Sequence, residues 1–191
     1  MRLQILSDLH LETHPNFHAT PAPGADMLVL AGDIGSYQRG SLLADDDFGL
    51  ARFSPQQAGG HWPVPVVLVP GNHEFDAQDF DAAHARLRAV CERLGIHFLD
   101  RSTLEVDGVR LVGTTLWTDF DSIALHLGMT EVGALLKQRD KAFKAANFYL
   151  SKAEATRHGQ PFLAAEIREE ALRCQAWLRE ALAVPFDGPT A

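Results

Sequence analysis

The run Val64-Pro65-Val66-Val67-Leu68-Val69-Pro70-Gly71-Asn72-His73-Glu74 decides the fold. Its first half is short, apolar and rich in β-branched residues, the pattern of a buried strand. Its second half stops the strand with Pro-Gly and at once presents an amide, an imidazole and a carboxylate. Glycine frees the backbone there, so Asn72 and His73 can both point at one place. Two earlier stretches repeat the design. Leu3 to Leu6 lead into Asp8-Leu9-His10, and Met27 to Ala31 lead into Gly32-Asp33. Polar groups are thus set at the carboxyl ends of consecutive strands, the edge where open α/β sheets bind ligands. Carboxylates, an imidazole and an amide oxygen together suit a pair of divalent cations.

Each segment alone says little, since Asp-x-His and Gly-Asp occur in ordinary turns and Asp8 and Asp33 could cap strand-to-helix turns. All three, in this order and each after a strand, resemble the calcineurin-like metallophosphoesterase family. That family's pattern is Asp-x-His, then Gly-Asp, then Gly-Asn-His-(Asp/Glu). The resemblance runs from Met1 to about Leu116. It implies an α/β fold, a layered αββα sandwich of two sheets. The first sheet is expected to be largely parallel, with strands near residues 2–7, 27–31 and 64–69.

The site expected from these residues is as follows. Asp8 and His10, two apart at a strand end, point to the same side and chelate one metal. Asp33 bridges two metals through its two carboxylate oxygens, and Asn72 offers its amide oxygen to the second. Two metals roughly 3.5–4 Å apart clamp a phosphate and lower the pKa of a bridging water, whose hydroxide attacks phosphorus. His73 touches the phosphate or protonates the leaving oxygen. Glu74 starts a helix or accepts a hydrogen bond behind the ligands. The absence of Cys among the candidates favours Mn2+ or Fe, with Zn2+ the third choice. The protein Ser/Thr phosphatases of the family continue Gly-Asp with x-x-Asp-Arg-Gly, whereas this chain reads Ile34-Gly35-Ser36-Tyr37-Gln38. The substrate expected is therefore a small phosphomonoester, phosphodiester or nucleotide. A second functional class, a non-catalytic metal-binding or interaction module built on the same fold, stays open.

The family pattern continues with a strand ending in His and a Gly-His-x-His segment. Here only His126 and His158 lie beyond residue 114, in Leu125-His126-Leu127 and Arg157-His158-Gly159, and neither context matches. The second sheet is expected to be incomplete and to expose an edge. A chain of this extent is expected to hold at most one metal well and to hydrolyse phosphoesters poorly. The further histidines would come from a longer natural chain or from a partner subunit, such as a second copy paired through that edge.

With 191 residues and 46% hydrophobic residues, one domain over 1–191 with a sizeable core is the expectation. The net charge of 17 − 25 = −8 comes without a Lys/Arg cluster, which argues against a non-specific nucleic-acid groove. No run is long enough to span a membrane. The first strand starts at Arg2, leaving no room for a signal peptide, so a cytoplasmic location is expected. Cys91 and Cys174 fall on apolar helix faces as buried, reduced thiols.

Periodicity places the other elements. Phe80, Ala83, Leu87, Val90 and Leu94 form one stripe of a helix over Asp76–Leu94, capped by Gly95. Ile96 to Leu99 is a short strand, and Asp107-Gly108 joins strands 103–106 and 109–114 as a hairpin that starts the second sheet. Helices follow over Glu131–Leu150, with Val132, Leu135, Leu136, Phe143 and Ala146 inward, and over Pro161–Ala183, with Ile167, Ala171, Cys174, Leu178 and Leu182 inward. The stretch from Gly35 to Pro63, which contains Pro55 and Gly59-Gly60, is less regular: Asp45-Asp46-Asp47 reads as solvated surface, and Leu42, Leu43, Phe48 and Leu50 as a short helix over the site. Trp117 and Asp119 follow a strand and border the pocket, or Trp117 simply packs. His14, His18, His61, His84 and His97 are assigned no role, although His14 is near enough in sequence to approach a substrate.

Overall fold

The computed structural model describes residues 1–56 and 62–191, so Gly59-Gly60 and His61 lie outside the described residues. Four parallel strands form the main sheet in the order β1 (Leu3–Leu6), β2 (Met27–Ala31), β3 (Val66–Val69) and β4 (His97–Phe98). The register sets Leu6 beside Leu30 and Leu30 beside Leu68, so the strands end level with one another. Three motif-bearing loops therefore leave the same edge. Leu28, Leu30, Val66 and Leu68 are buried against helix α1 (Phe80–Leu94), whose inward stripe is the one its periodicity predicts.

Helix α1 begins at Phe80, four residues later than expected. Asp79 caps it by accepting from the Asp81 and Ala82 amides, both at 3.2 Å, while Asp76 turns inward to the site. Residues His73–Phe75 form a separate 3-10 turn. At the other end Gly95 takes the left-handed conformation of a C-terminal cap, φ 71°.

The hairpin β5 (Ser102–Val106) and β6 (Val109–Gly113) forms a second, antiparallel sheet. Asp107 and Gly108 both have positive φ, 50° and 74°, as a tight two-residue hairpin loop requires. Replacing Gly108 by Ala is expected to cost about 1 kcal/mol, because a Cβ strains this conformation; urea denaturation measures it. Chain segment 189–191 runs parallel beside β6. The Arg110 amide donates to Pro189, the Ala191 amide to Arg110 and the Val112 amide to Ala191. One side of the hairpin thus carries a parallel bridge between Arg110 and Thr190. Between the two sheets lie Met27, Val67, Leu99 and Leu111. This mixed α/β architecture, a parallel sheet with small antiparallel sheets beside it, accords with the metallophosphoesterase fold.

Beyond β6 come α2 (Ser122–His126), α3 (Val132–Ala153), the two-residue strands β7 (Thr156–Arg157) and β8 (Gln160–Pro161), and α4 (Ala164–Ala183). The expected start of the last helix is corrected. Pro161 lies in β8, and α4 begins three residues later, held by Asn147 Oδ1 accepting from the Ala164 amide at 2.9 Å. Its inward face is also shorter than the periodicity suggests: Ile167, Ala171 and Cys174 are buried, while Leu182 is exposed. Helix α3 forms where periodicity puts it, but none of its residues is fully buried, and Val132 and Leu136 face outward. A buried Glu170 on α4 binds Arg101, Arg157 and Arg173 and ties the helical segment to the loop after β4.

Two readings of residues 35–63 are corrected. Asp47 is buried and not solvated, because its carboxylate accepts from the Gly49 and Ala51 amides at 2.8 and 3.2 Å. Phe48 and Leu50 do not cover the site. They sit at the centre of the main core, and only a 3-10 turn forms, at Leu50–Phe53. Both cysteines are free and buried, and among the described residues no helix is long and apolar enough to cross a membrane.

Candidate metal centre

The site begins with a close approach of backbones. Gly32 and Gly71 end β2 and β3 back to back, and a Cβ on Gly32 would sit 2.7 Å from Gly71 Cα. A Cβ on Gly71 would collide with Asp33 Oδ1 and its amide nitrogen. Both glycines are therefore required by space, and Gly32, with φ 83°, by conformation as well.

Residues Asp8, His10 and Asp33 all adopt left-handed backbone angles, φ 53°, 46° and 55°. Such angles are uncommon for residues with a Cβ, tolerated best by Asn, Asp and His, and concentrated at functional sites. They also correct the local argument for Asp8 and His10: β1 ends at Leu6, and the alternation of an extended strand does not relate these two side chains. Pairing with the neighbouring loop places them instead. The Asp8, His10 and Leu11 amides donate to the carbonyls of Gly32, Asp33 and Ile34 at 3.1, 3.1 and 3.0 Å.

One ligand atom each from His10, Asp33 and His73 lies within 4.8 Å of the other two. The His10 and His73 rings meet edge to face, with centroids 4.7 Å apart. Each imidazole is aimed by a carboxylate. His10 Nδ1 lies 3.0 Å from Glu12 Oε1, and His73 Nδ1 lies 2.8 Å from Asp76 Oδ2. That leaves the two Nε2 atoms for an ion or a substrate. Asp33 is held through its Oδ1, which accepts from the His73 amide at 3.0 Å. The Asp76 contact raises the His73 pKa to about 9, against the opposing effect of burial, with Asp33 and Glu12 adding to the rise. In the metal-free protein the ring is therefore cationic at neutral pH.

The other two predicted ligands, Asp8 and Asn72, stand at the same edge, and Asp8 lies outside this group of three. Asp8 is exposed on the first loop. Asn72 is exposed at the start of the 3-10 turn, and its side chain caps nothing. His73, expected to touch the phosphate or protonate the leaving oxygen, also belongs to this group of three.

Three carboxylates behind the site do structural work. Glu74 is buried and accepts from the backbone amides of Ile34 at 2.7 Å, Gly71 at 2.8 Å and Asp33 at 3.2 Å. It welds the second motif loop to the third. Burial pushes its pKa up to about 7 despite the Ile34 amide, and the Asp33 charge pushes the same way. The sequence reading foresaw an acceptor behind the ligands, and this is what Glu74 is. Glu12 and Asp76 escaped that reading. The signals for them were spacing alone: Glu12 two residues after His10, and Asp76 three after His73, one helical turn on.

Two cavities open from Asn72. The larger, about 680 Å³, runs along residues 114–118 to α3 and α4; the smaller, about 350 Å³, holds His73, Asp76, Gln38 and Lys152. Trp117 both packs and borders, touching Phe75, Phe80 and Phe162 while lining both cavities. Asp119 lines neither and binds Gln175 at 3.0 Å.

The family model for calcineurin-like phosphoesterases matches residues 1–177. The chain belongs to that family. The family implies divalent metal ions, and a group of residues able to hold one is present. Comparison with curated proteins and with solved structures finds no match.

Proposed function

We propose that this calcineurin-like phosphoesterase hydrolyses a small phosphoester with divalent metal ions held at the carboxyl edge of the main sheet. The observation that carries the reading is the convergence of His10, Asp33 and His73 within 4.8 Å at the ends of three parallel strands. The donor set fits a hard or borderline cation: imidazole and carboxylate without thiolate, with a free Asn72 amide beside it. Asp33, His10 and Asp8 would hold one ion, and Asp33 with Asn72 the second. When bound, the metals supply positive charge on the phosphate and a water acidified for attack on phosphorus. Mn2+ or Fe is the favoured ion.

The residues of the chain do the rest. Glu12 keeps the His10 ring turned toward the ion, and Glu74 fixes the distance between the Asp33 and Gly71 loops. His73, cationic and aimed by Asp76, holds a proton next to the place where the ester oxygen departs. Incubated with Mn2+, the purified chain is expected to release p-nitrophenolate from an aryl phosphoester, and a chelator is expected to stop it. Chelator-resistant hydrolysis would refute the metal-dependent reading, and no hydrolysis with any divalent ion would refute it and favour a non-catalytic metal-binding module.

A further inference from the structure

We infer that helix α3 is a docking surface for an anionic lipid bilayer, laid against the headgroups through its lysines and Phe148. The inference concerns where the chain docks and stands independently of the chemistry of the metal centre.

Every lysine of the chain lies on this one helix: Lys137, Lys141, Lys144 and Lys152. No contiguous basic run announces them, because helical pitch gathers them and not adjacency. From Lys137 through Lys141, Lys144 and Phe148 to Lys152 the spacings are 4, 3, 4 and 4, one stripe of an α-helix. At the helical rise per residue the stripe runs about 22 Å. All five side chains are exposed, Phe148 by 62%. The opposite face is the one turned to the protein, where Phe143 meets Phe120 and Arg139 binds Asp121. Among the described residues no lysine forms an ion pair. Lys152 alone has a partner, its Nζ lying 4.4 and 5.7 Å from the ring centres of Phe148 and Tyr149.

An ordinary solvated helix face mixes both signs, as α4 does with Glu166, Glu169, Arg173, Arg179 and Glu180. Helix α3 instead sets four lysines and Arg139 against Asp140 alone, in a chain whose net charge is −8. The partner of such a stripe is anionic, and basic amphipathic helices lie on anionic membranes. Three observations select a bilayer over a nucleic acid. Lys137, Lys141 and Lys144 line neither cavity that opens from Asn72, so the stripe is an outward face and not a groove that tracks a strand. Its flanks are apolar, with Leu136 50% and Tyr149 69% exposed, and apolar surface gains from lipid but not from a phosphate backbone. A bilayer also meets one face of the molecule only, so the acidic remainder stays beyond a screening length of about 10 Å. Tyr149 and Lys152 line the smaller cavity beside His73, so docking through α3 brings the rim of the metal centre to the headgroup layer.

The test uses the full chain with chelator present, so that no metal bridges protein to phosphate. The chain is expected to co-sediment with vesicles of phosphatidylcholine and phosphatidylglycerol in equal parts, and not with vesicles of phosphatidylcholine alone. Raising the salt from about 0.1 to about 1 M is expected to release it, because the screening length falls about threefold. Lys141→Gln is expected to weaken binding about fivefold, and the double change with Lys144→Gln about twenty-fivefold. Phe148→Ala is expected to weaken it about tenfold. Arg88→Gln, the same loss of charge at an exposed position of α1, is expected to leave binding within about twofold. All these side chains are exposed, and an unchanged urea midpoint shows that each variant keeps the fold. Equal binding to the two kinds of vesicle, no sedimentation at the lower salt, or an Arg88→Gln loss as large as that of Lys141→Gln overturns the inference. Tighter binding of a single-stranded oligonucleotide, lost with the same lysines, also overturns it and gives the stripe to a nucleic acid.

Discussion

Replacement of Asp33 by Asn is expected to lower Mn2+-dependent turnover about a thousandfold with the fold intact. Asp33 belongs to the His10–Asp33–His73 cluster, and its Oδ1 also accepts the His73 amide at 3.0 Å. An Asn oxygen keeps that hydrogen bond and the left-handed backbone, which Asn tolerates as well as Asp. What disappears is the negative charge of the His10–Asp33–His73 group. Metal-centred charge stabilisation is worth several kcal/mol, which as a rate is about three orders of magnitude. Calorimetric titration with Mn2+ should show the tight site lost, while circular dichroism and the urea midpoint stay close to the parent protein. Turnover within tenfold of the parent would place the chemistry elsewhere.

The second large effect is on stability. Glu74→Ala is expected to destabilise the chain by about 3 kcal/mol or more, because three backbone amides lose their buried acceptor together. Glu74→Gln is expected to cost less. The amide oxygen can replace Oε2 and keep Gly71 and Asp33, while the NH2 group faces the Ile34 amide, donor against donor. Urea denaturation of the three proteins at one pH measures the order. An alanine variant as stable as the parent would show that water satisfies these amides and that Glu74 is dispensable to the fold. The same variant should also lose metal affinity, since the Gly71 and Asp33 loops no longer share an anchor.

Much of this molecule was legible in its sequence. The strand-ending motifs, the α1 stripe, the Asp107-Gly108 turn and Gly95 as a helix cap all follow from periodicity and turn chemistry, which act within a few residues. So did the family, because the motif order survives without any knowledge of distance. Less legible was anything that depends on partners far along the chain. Asp45-Asp46-Asp47 looks uniformly solvated, yet Asp47 is buried by capping a turn two to four residues on. Helix α3 reads as amphipathic, but the apolar stripe that periodicity assigns to the core has no deep neighbour to meet.

By itself the sequence determined that the three motifs leave consecutive strands at one edge. Local pattern suffices for that, because strand direction and loop position are set by short-range hydrophobic alternation and by glycine. Tertiary structure alone decided how those residues stand toward one another. Gly32 and Gly71 are 39 positions apart in number, and their contact exists only because β2 and β3 pair in register. That contact brings Glu74 under the Asp33 loop, sets His10 against His73, and makes His73 a member of the cluster. A one-residue slip in the pairing would preserve every motif and scatter the site, since side-chain direction alternates along each strand.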